Sequence, residues 1–327
     1  MKLYPWQLEM WPTVENRIRS GKMPHALLFS GAQGIGKLHF AKAFVYRLFC
    51  QNVQEGVSCG QCDACHLLNI GNHPDLYHVS KPEDKRDISV DQIRDLITNV
   101  SLKPHSAVKK VAIIERAELM NINASNSLLK TLEEPPESCL LILLTHRPDK
   151  LIATIRSRCQ LQEFVLPDKK QALDWLQLNI ADASQADKLL ALAGGAPLQA
   201  IIYANDGTLQ QRDEMFVALQ DLLNGKQNPV SVASLWLKKD LEVTLYCMIS
   251  WLTDMIRLKV SSTPPLLGNP DLKTQLAKLS ERSALPKMLE FYDSINEMQS
   301  WKKSNINAQL ILEEMLVQWS HLGAQKT

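Results

Sequence analysis

Neither sign of charge dominates this chain of 327 residues: 36 lysines and arginines face 35 aspartates and glutamates, for a net charge of +1. A self-sufficient DNA binder would carry a basic excess, so any contact with nucleic acid has to be local or shared with other chains. Long hydrophobic runs are also missing. The longest aliphatic run, 140–144, is far too short to cross a bilayer, and Met1-Lys2-Leu3-Tyr4-Pro5-Trp6-Gln7 lacks the apolar core of a signal peptide. The expectation is a cytoplasmic protein with no membrane contact. Aromatic residues make up 6% of the chain and none is interleaved with the clustered cysteines, which argues against a zinc protein that stacks on DNA bases. No internal repeat and no low-complexity segment is present, and the length suits two or three domains with separate cores.

One further absence sits inside a motif. Gly31-Ala32-Gln33-Gly34-Ile35-Gly36-Lys37-Leu38 has the glycines and the lysine of a phosphate-cradling loop, but Leu38 stands where such a loop needs a hydroxyl for magnesium. The context supports the motif: an apolar strand at 26–29 precedes it, and Phe40, Phe44 and Leu48 repeat at helical spacing after it. Gly31, Gly34 and Gly36 let backbone N–H groups close around phosphate, the helix N-terminus favours the anion, and Lys37 reaches outer phosphates. Binding of ATP or ADP is therefore compatible with the loop, whereas magnesium-assisted hydrolysis loses one of the groups that hold the metal. The strand 111–114 leads to the positions where a Walker B element puts an aspartate for magnesium and then a catalytic glutamate. Here they hold Glu115 and Arg116. A longer carboxylate arm can still reach a metal, but a guanidinium has no lone pair with which to take a proton from water. The pair of defects reads as a former ATPase site; a plain core strand with a charged rim is the alternative.

Seven cysteines in a chain of this type do not make a disulfide framework, and four of them cluster as Cys50, Cys59, Cys62 and Cys65. Two Cys-x-x-Cys steps let neighbouring thiolates converge on one ion, and Cys50, at the end of the preceding helix, completes a closed tetrahedron with no open position for catalysis. A structural zinc module at about 50–65 is expected. The rival readings are a redox pair and incidental thiols. His66 and His73 are substitute ligands, although His73-Pro74-Asp75 places His73 in the turn before the strand 76–79.

Apolar strands at 26–29, 76–79, 111–114 and 140–144 alternate with helical stretches at 90–100 and 123–134, the pattern of a parallel sheet covered by helices. Leu128 and Leu132 share one helix face, and Pro135-Pro136 stops that helix. Beyond about Pro167 the strand signal fades. Short helices at 172–180 and 186–192, then Gly194-Gly195-Ala196-Pro197 and another helix, predict a small helical domain over 167–208. Residues 209–327 are helical throughout, with stripes of Leu219, Leu222 and Leu223, of Met248, Leu252, Met255 and Ile256, and of Leu310, Ile311, Met315 and Trp319. Their one clear loop runs through 261–265 and Gly268-Asn269-Pro270. Such stripes belong to a core more often than to a partner surface.

After the strand 140–144 come Thr145-His146-Arg147-Pro148 and a short helix through Leu151 and Ile155, and then Ser157-Arg158-Cys159. An arginine there can face outward, where its planar fork matches phosphate oxygens, or it can simply pair with a surface carboxylate. The segment Leu128-Leu129-Lys130-Thr131-Leu132-Glu133-Glu134-Pro135-Pro136, the tripeptide Ser157-Arg158-Cys159, the cysteine cluster after the phosphate-loop helix and His73-Pro74-Asp75 together resemble the clamp-loader branch of the AAA+ proteins. The resemblance is strong over about 20–165, extends through a lid near Gly194-Gly195, and is architectural over the carboxy-terminal third. It implies a RecA-like α/β AAA+ module with a parallel sheet and a four-cysteine zinc insert over 1–166, a helical lid over 167–208, and an all-α collar over 209–327. It also implies that the collar joins subunits of gamma/tau and delta type into a five-subunit ring that loads a sliding clamp on primer-template DNA.

Residue by residue, the resemblance makes Arg158 an arginine finger for the ATP site of an adjacent gamma or tau subunit. It makes Lys37 the phosphate lysine and Cys50, Cys59, Cys62 and Cys65 the zinc ligands. Leu38, Glu115 and Arg116 depart from the active members of that branch, and Leu198, Gln199 and Ala200 occupy the places where a sensor arginine is expected. The departures fit a subunit that does not hydrolyse ATP itself. The opposing reading is an autonomous AAA+ ATPase acting on DNA, which would need Glu115 to hold magnesium unaided and another group as base.

Overall fold

In a computed structural model of the protein, the structure describes residues 1–239, 241–261, 263–264, 267–301 and 307–322. The chain divides into two compact units, Met1–Trp175 and Leu176–Thr327.

The first unit begins with a 3-10 turn, Pro5–Met10, and helix α1, Trp11–Arg19. It is built around a parallel sheet of β1 Ala26–Gly31, β2 Leu76–Val79, β3 Lys110–Ile114, β4 Cys139–Thr145 and β5 Gln160–Phe164, in the order β2-β3-β4-β1-β5. The central strands are the most apolar. β3 and β4 are buried at every residue, as strands covered on both faces must be. Register places Leu28 beside Leu143 and Ile113 beside Ile142. The four apolar strands expected from the sequence are all present, whereas β5 is an addition to them. Its residues Gln-Leu-Gln-Glu-Phe lie on the sheet edge, and most are exposed.

Helices α2 Lys37–Phe49, α3 Asp63–Asn69, α4 Val90–Ser101, α5 Ile122–Glu133 and α6 Ala153–Arg158 follow the strands. On one side Ile93, Leu96, Leu128, Leu132 and Ile155 pack with Leu28, Ile114 and Leu143 into one core. Elsewhere Phe40 of α2 meets Phe29 and Phe164, with ring centroids 5.8 and 5.2 Å away. Local chemistry sets the helix ends. Ser89 and Gln92 form a reciprocal capping box at α4, and Asn121 accepts the Ala124 N–H at the start of α5. Before Pro135, Glu134 leaves helical geometry with φ −123° and ψ 70°.

The His73-Pro74-Asp75 turn has a structural use. The buried Asp75 carboxylate accepts the backbone N–H groups of His105, Ser106 and Ala107 at 2.7, 2.8 and 2.8 Å and lies 3.5 Å from the Lys110 ammonium. It thereby fastens the loop that enters β3. Burial works against its charge, yet these N–H groups and Lys110 hold its carboxyl down at about 2.

Helix α7, Lys169–Gln177, leads into the second unit, whose helices are α8 Ala186–Leu192, α9 Pro197–Asn205, α10 Thr208–Leu223, α11 Pro229–Trp236, α12 Leu241–Val260, α13 Lys273–Arg282, α14 Leu285–Trp301 and α15 Ala308–Leu322. Their core gathers Leu219, Met248, Trp251, Met255, Met315 and Trp319, so the Met- and Leu-rich stripes are interior; Leu310 of the last stripe faces solvent instead. Trp319 places its indole N–H on the Leu219 carbonyl at 3.1 Å. Of the loop expected at 261–265, Ser262 and Pro265 lie outside the described residues. Its continuation is pinned by Asp254, which accepts the N–H groups of Gly268 and Asn269, while the buried Arg212 forks onto Asp271 at 2.9 and 2.8 Å.

Candidate nucleotide site and cysteine cluster

The phosphate loop closes at the carboxyl end of β1 and opens α2, as its sequence predicts. Gly36 is the helix N-cap in the left-handed region at φ +88°, and Gly34 lies at φ +78°. A Cβ on Gly36 would stand 2.7 Å from the Gln7 side-chain nitrogen, and one on Gly31 only 2.3 Å from the Phe164 carbonyl oxygen. Glycine is thus required at both places.

Lys37 is 9% exposed, and its ammonium folds back to donate to the carbonyls of Gly31 and Ala32, both at 2.7 Å. Burial pulls its pKa down to about 8, against the opposing pull of the Glu118 carboxylate. The loop is held from outside as well. Trp6 donates its indole N–H to the Ile35 carbonyl at 2.9 Å, and the fully buried Gln7 donates to the Gly36 carbonyl at 2.8 Å. Tyr4 stacks on Trp6 with centroids 5.0 Å apart, and Trp175 meets both rings edge-on. Nothing in the spacing of this amino-terminal run marks it as part of the site. Its one pointer to a structural use is the aromatic pair of Tyr4 and Trp6 around a proline.

Beyond the end of β3, the Glu115 carboxylate lies 3.3 Å from His78 Nε2 of the neighbouring β2, and the hydrogen bond from His78 lowers its pKa. Arg116 takes a left-handed backbone, φ +53°, rare for a residue with a side chain. Its Nε is 3.8 Å from Glu118, a carboxylate that no sequence motif singles out. The Glu118 side chain is 2% exposed, and His146 Nδ1 is 2.9 Å from it. Burial opposes its charge, but hydrogen bonds from His146 and Thr145 outweigh it and keep the carboxyl below its ordinary range. Leu38 offers no hydroxyl beside Lys37. The site therefore combines a glycine-rich loop whose lysine is turned onto its own carbonyls, a carboxylate tied to histidine, and an arginine with a left-handed backbone.

Arg158 closes α6. Its Nη1 donates to the Thr154 carbonyl at 3.1 Å and its Nη2 lies 2.7 Å from Glu133 Oε1; the side chain remains about one-third exposed. The neighbouring Cys159 is buried and holds the chain against the core.

The cysteine positions come together. Cys50 caps the end of α2, Cys59 and Cys62 lie in the loop that follows, and Cys65 is in α3. Their sulfur atoms all lie within 4.8 Å of one another. Tetrahedral zinc, with Zn–S bonds of about 2.3 Å, needs sulfurs about 3.8 Å apart, a spacing in keeping with four sulfurs gathered this closely. Backbone N–H groups already point at the sulfurs: Cys59 N–H reaches Cys50 Sγ at 3.2 Å, and Cys62 N–H reaches Cys59 Sγ at 3.4 Å. Although burial opposes it, backbone N–H groups of Cys65 and Gln51 bring the Cys62 thiol down to about 6. Burial pushes Cys65 up to about 12, a cost that a bound cation would reverse. Neither histidine joins the group among the described residues. His73 instead packs its ring on Phe49, with centroids 4.5 Å apart. The module meets α1 where Trp11 donates to the Gly56 carbonyl at 3.1 Å, and Glu15 of α1 binds Arg47 of α2 at 2.6 Å.

Comparison with known proteins places these features in a family. Residues 6–167 match the family model described as DNA polymerase III, delta subunit, and residues 206–321 match the model of its C terminal part. A DNA polymerase III subunit delta' of Pseudomonas aeruginosa is 34% identical over 98% of this chain and 98% of its own length; that of Yersinia pestis is 29% identical over 98% and 96%. A DNA polymerase III subunit tau of Bacillus subtilis is 30% identical over 95% of this chain and 60% of its own length. With 34% identity to such a relative over nearly the whole of both chains, and family models matching both of its parts, the chain belongs to the DNA polymerase III subunit delta' family.

Proposed function

We propose that this protein is a clamp-loader subunit of the bacterial replicative DNA polymerase that does not hydrolyse ATP itself and completes the ATP site of a neighbour. The observation that carries the reading is the contrast between two sites in one unit. The protein's own loop lacks the metal-holding hydroxyl at Leu38 and the base at Arg116, while Arg158 stays partly exposed on a short, core-anchored helix. An arginine supplied in trans to a γ-phosphate contributes about 10³–10⁵ in rate in well-studied GTPases.

In this reading Arg158 enters the site of an adjacent gamma- or tau-type ATPase subunit. Delta- and gamma/tau-type partners share a five-subunit ring with this chain, and the sliding clamp and primer-template DNA are met through that ring in the cytoplasm. Residues 209–327 act as the collar and 167–208 as a lid. Cys50, Cys59, Cys62 and Cys65 hold a structural zinc ion that ties the insert together and supplies no reaction chemistry. ATP or ADP can occupy the loop of Gly31, Gly34, Gly36 and Lys37 only once the Lys37 ammonium leaves the two carbonyls it now holds.

The test is steady-state ATP hydrolysis by gamma-type subunits reconstituted with this chain, comparing the wild type with Arg158→Ala while following ring assembly by size-exclusion chromatography. A fall of about two orders of magnitude or more in kcat, with the ring intact, is expected. An unchanged rate leaves a purely architectural subunit, and hydrolysis by the isolated wild-type chain would favour an autonomous motor.

A further inference from the structure

We infer that Glu133, the last residue of α5, is a positioning residue that aims the Arg158 guanidinium; this rests on the reading of Arg158 as a trans-acting finger. The two side chains belong to different helices, 25 positions apart in sequence, and meet at 2.7 Å. A second contact, from Nη1 to the Thr154 carbonyl at 3.1 Å, holds the other arm of the fork. A guanidinium is planar and rigid, so fixing both terminal nitrogens fixes the plane of the whole group. One of its five N–H donors is given to the Thr154 carbonyl while Glu133 holds the other terminal nitrogen by charge, which leaves donors for an incoming phosphate.

Stability does not explain the pair. Glu133 is 50% exposed and Arg158 35%, and ion pairs that wet contribute little to folding. Geometry does explain it. A free arginine on a short helix samples many rotamers, and each must be given up when it enters a neighbour's site. Glu133 is well placed to remove that freedom beforehand, because α5 stops abruptly before Pro135 and its last side chain is delivered to the end of α6. Thr154 anchors one nitrogen through the backbone, and Glu133 supplies the opposing anchor through charge. The sequence of the segment ending in Glu133-Glu134-Pro135-Pro136 reads as a capped amphipathic helix, which accounts for Leu128, Leu132 and the prolines but leaves the acidic residue without a use.

The experiment is a double-mutant cycle in the reconstituted ring, with Glu133→Ala, Arg158→Ala and the double variant compared with the wild type for kcat and for KM of ATP. Glu133→Ala is expected to lower kcat about tenfold, in the range seen when a partner that orients a functional group is removed, with KM changed less than about twofold. Glu133→Gln, which keeps an acceptor at the same reach, recovers most of the loss. In the Arg158→Ala background, Glu133→Ala has no further effect. An unchanged Arg158→Ala rate sinks the finger reading itself. A large Arg158→Ala loss beside an unchanged or faster Glu133→Ala ring overturns only the present inference. So does an equal Glu133→Ala loss in both backgrounds, which would mark a structural role. Melting curves and assembly of each variant, with Glu133→Gln as the least disruptive, separate loss of aim from loss of fold.

Discussion

Gln7 donates its side-chain N–H to the Gly36 carbonyl at 2.8 Å, so the beginning of the chain is bonded to the turn that opens α2. The amide is completely buried, and Gly36 has no room for a Cβ on that side. Replacing Gln7 with alanine leaves the carbonyl without its donor and is expected to cost about 1–3 kcal/mol in urea denaturation. Gly36→Ala meets both the steric contact and the left-handed backbone and should cost at least as much. If both variants unfold at the wild-type urea midpoint, the strap is not part of the folded unit's stability.

Asp75 gives acid sensitivity a definite origin. Its carboxyl titrates at about 2 in the folded chain, below the ordinary value of 3.8, so its contribution is complete above about pH 4 and is lost as the pH falls from there toward 2. Asp75→Asn removes the charge that three backbone N–H groups and Lys110 share. A loss of about 2–3 kcal/mol at neutral pH is expected, together with a flatter stability profile between about pH 4 and 2. A variant as stable as the wild type at neutral pH, with the same acid profile, would show that the loop before β3 is held by other means.

Metal analysis checks the cysteine cluster directly. Purified protein should contain about one zinc ion per chain, and the double variant Cys59→Ala, Cys62→Ala should contain almost none. Chelation should lower the melting temperature, because a closed set of thiolates binds metal only when the insert is folded. Less than about half an ion per chain in the wild type counts against the assignment.

Restoring the two altered Walker B residues, Glu115→Asp with Arg116→Glu, should leave the isolated chain without ATPase activity, since Leu38 still denies magnesium its hydroxyl. Phosphate release by that double variant above a no-protein control would show that Leu38 is not the decisive defect. Adding Leu38→Thr to it is the stronger challenge, because Lys37 must still abandon the carbonyls of Gly31 and Ala32.

The loop glycines, Lys37 and the four apolar strands are legible in sequence because each depends on local chemistry: a tight turn, an anion-binding helix end, a run of residues buried on both faces. The four cysteines are legible because short spacing forces their sulfurs together. Other features depend on distant partners and leave little local trace. Gln-Leu-Gln-Glu-Phe forms β5 only because β1 offers it an edge, and Glu118 enters the site only because β4 delivers Thr145 and His146 beside it. Gln7 looks like any polar residue near a terminus until Ile35 and Gly36 supply carbonyls for its amide. Arg158 is singled out by its motif, but its partner Glu133 lies on another helix and no spacing rule joins them.

Helix α2 carries the phosphate loop at one end and the first of the clustered cysteines at the other, and its 13 residues span about 20 Å. The amino-terminal run grips both ends, through Gln7 at Gly36 and through Glu15 at Arg47. Mechanically this is a beam clamped twice. A helix held at a single end can slide or tilt when a ligand arrives, but this one cannot advance along its axis without parting from one clamp. The phosphate loop and the cysteine cluster are thereby kept at a set separation, and a push on one is carried along the helix to the other.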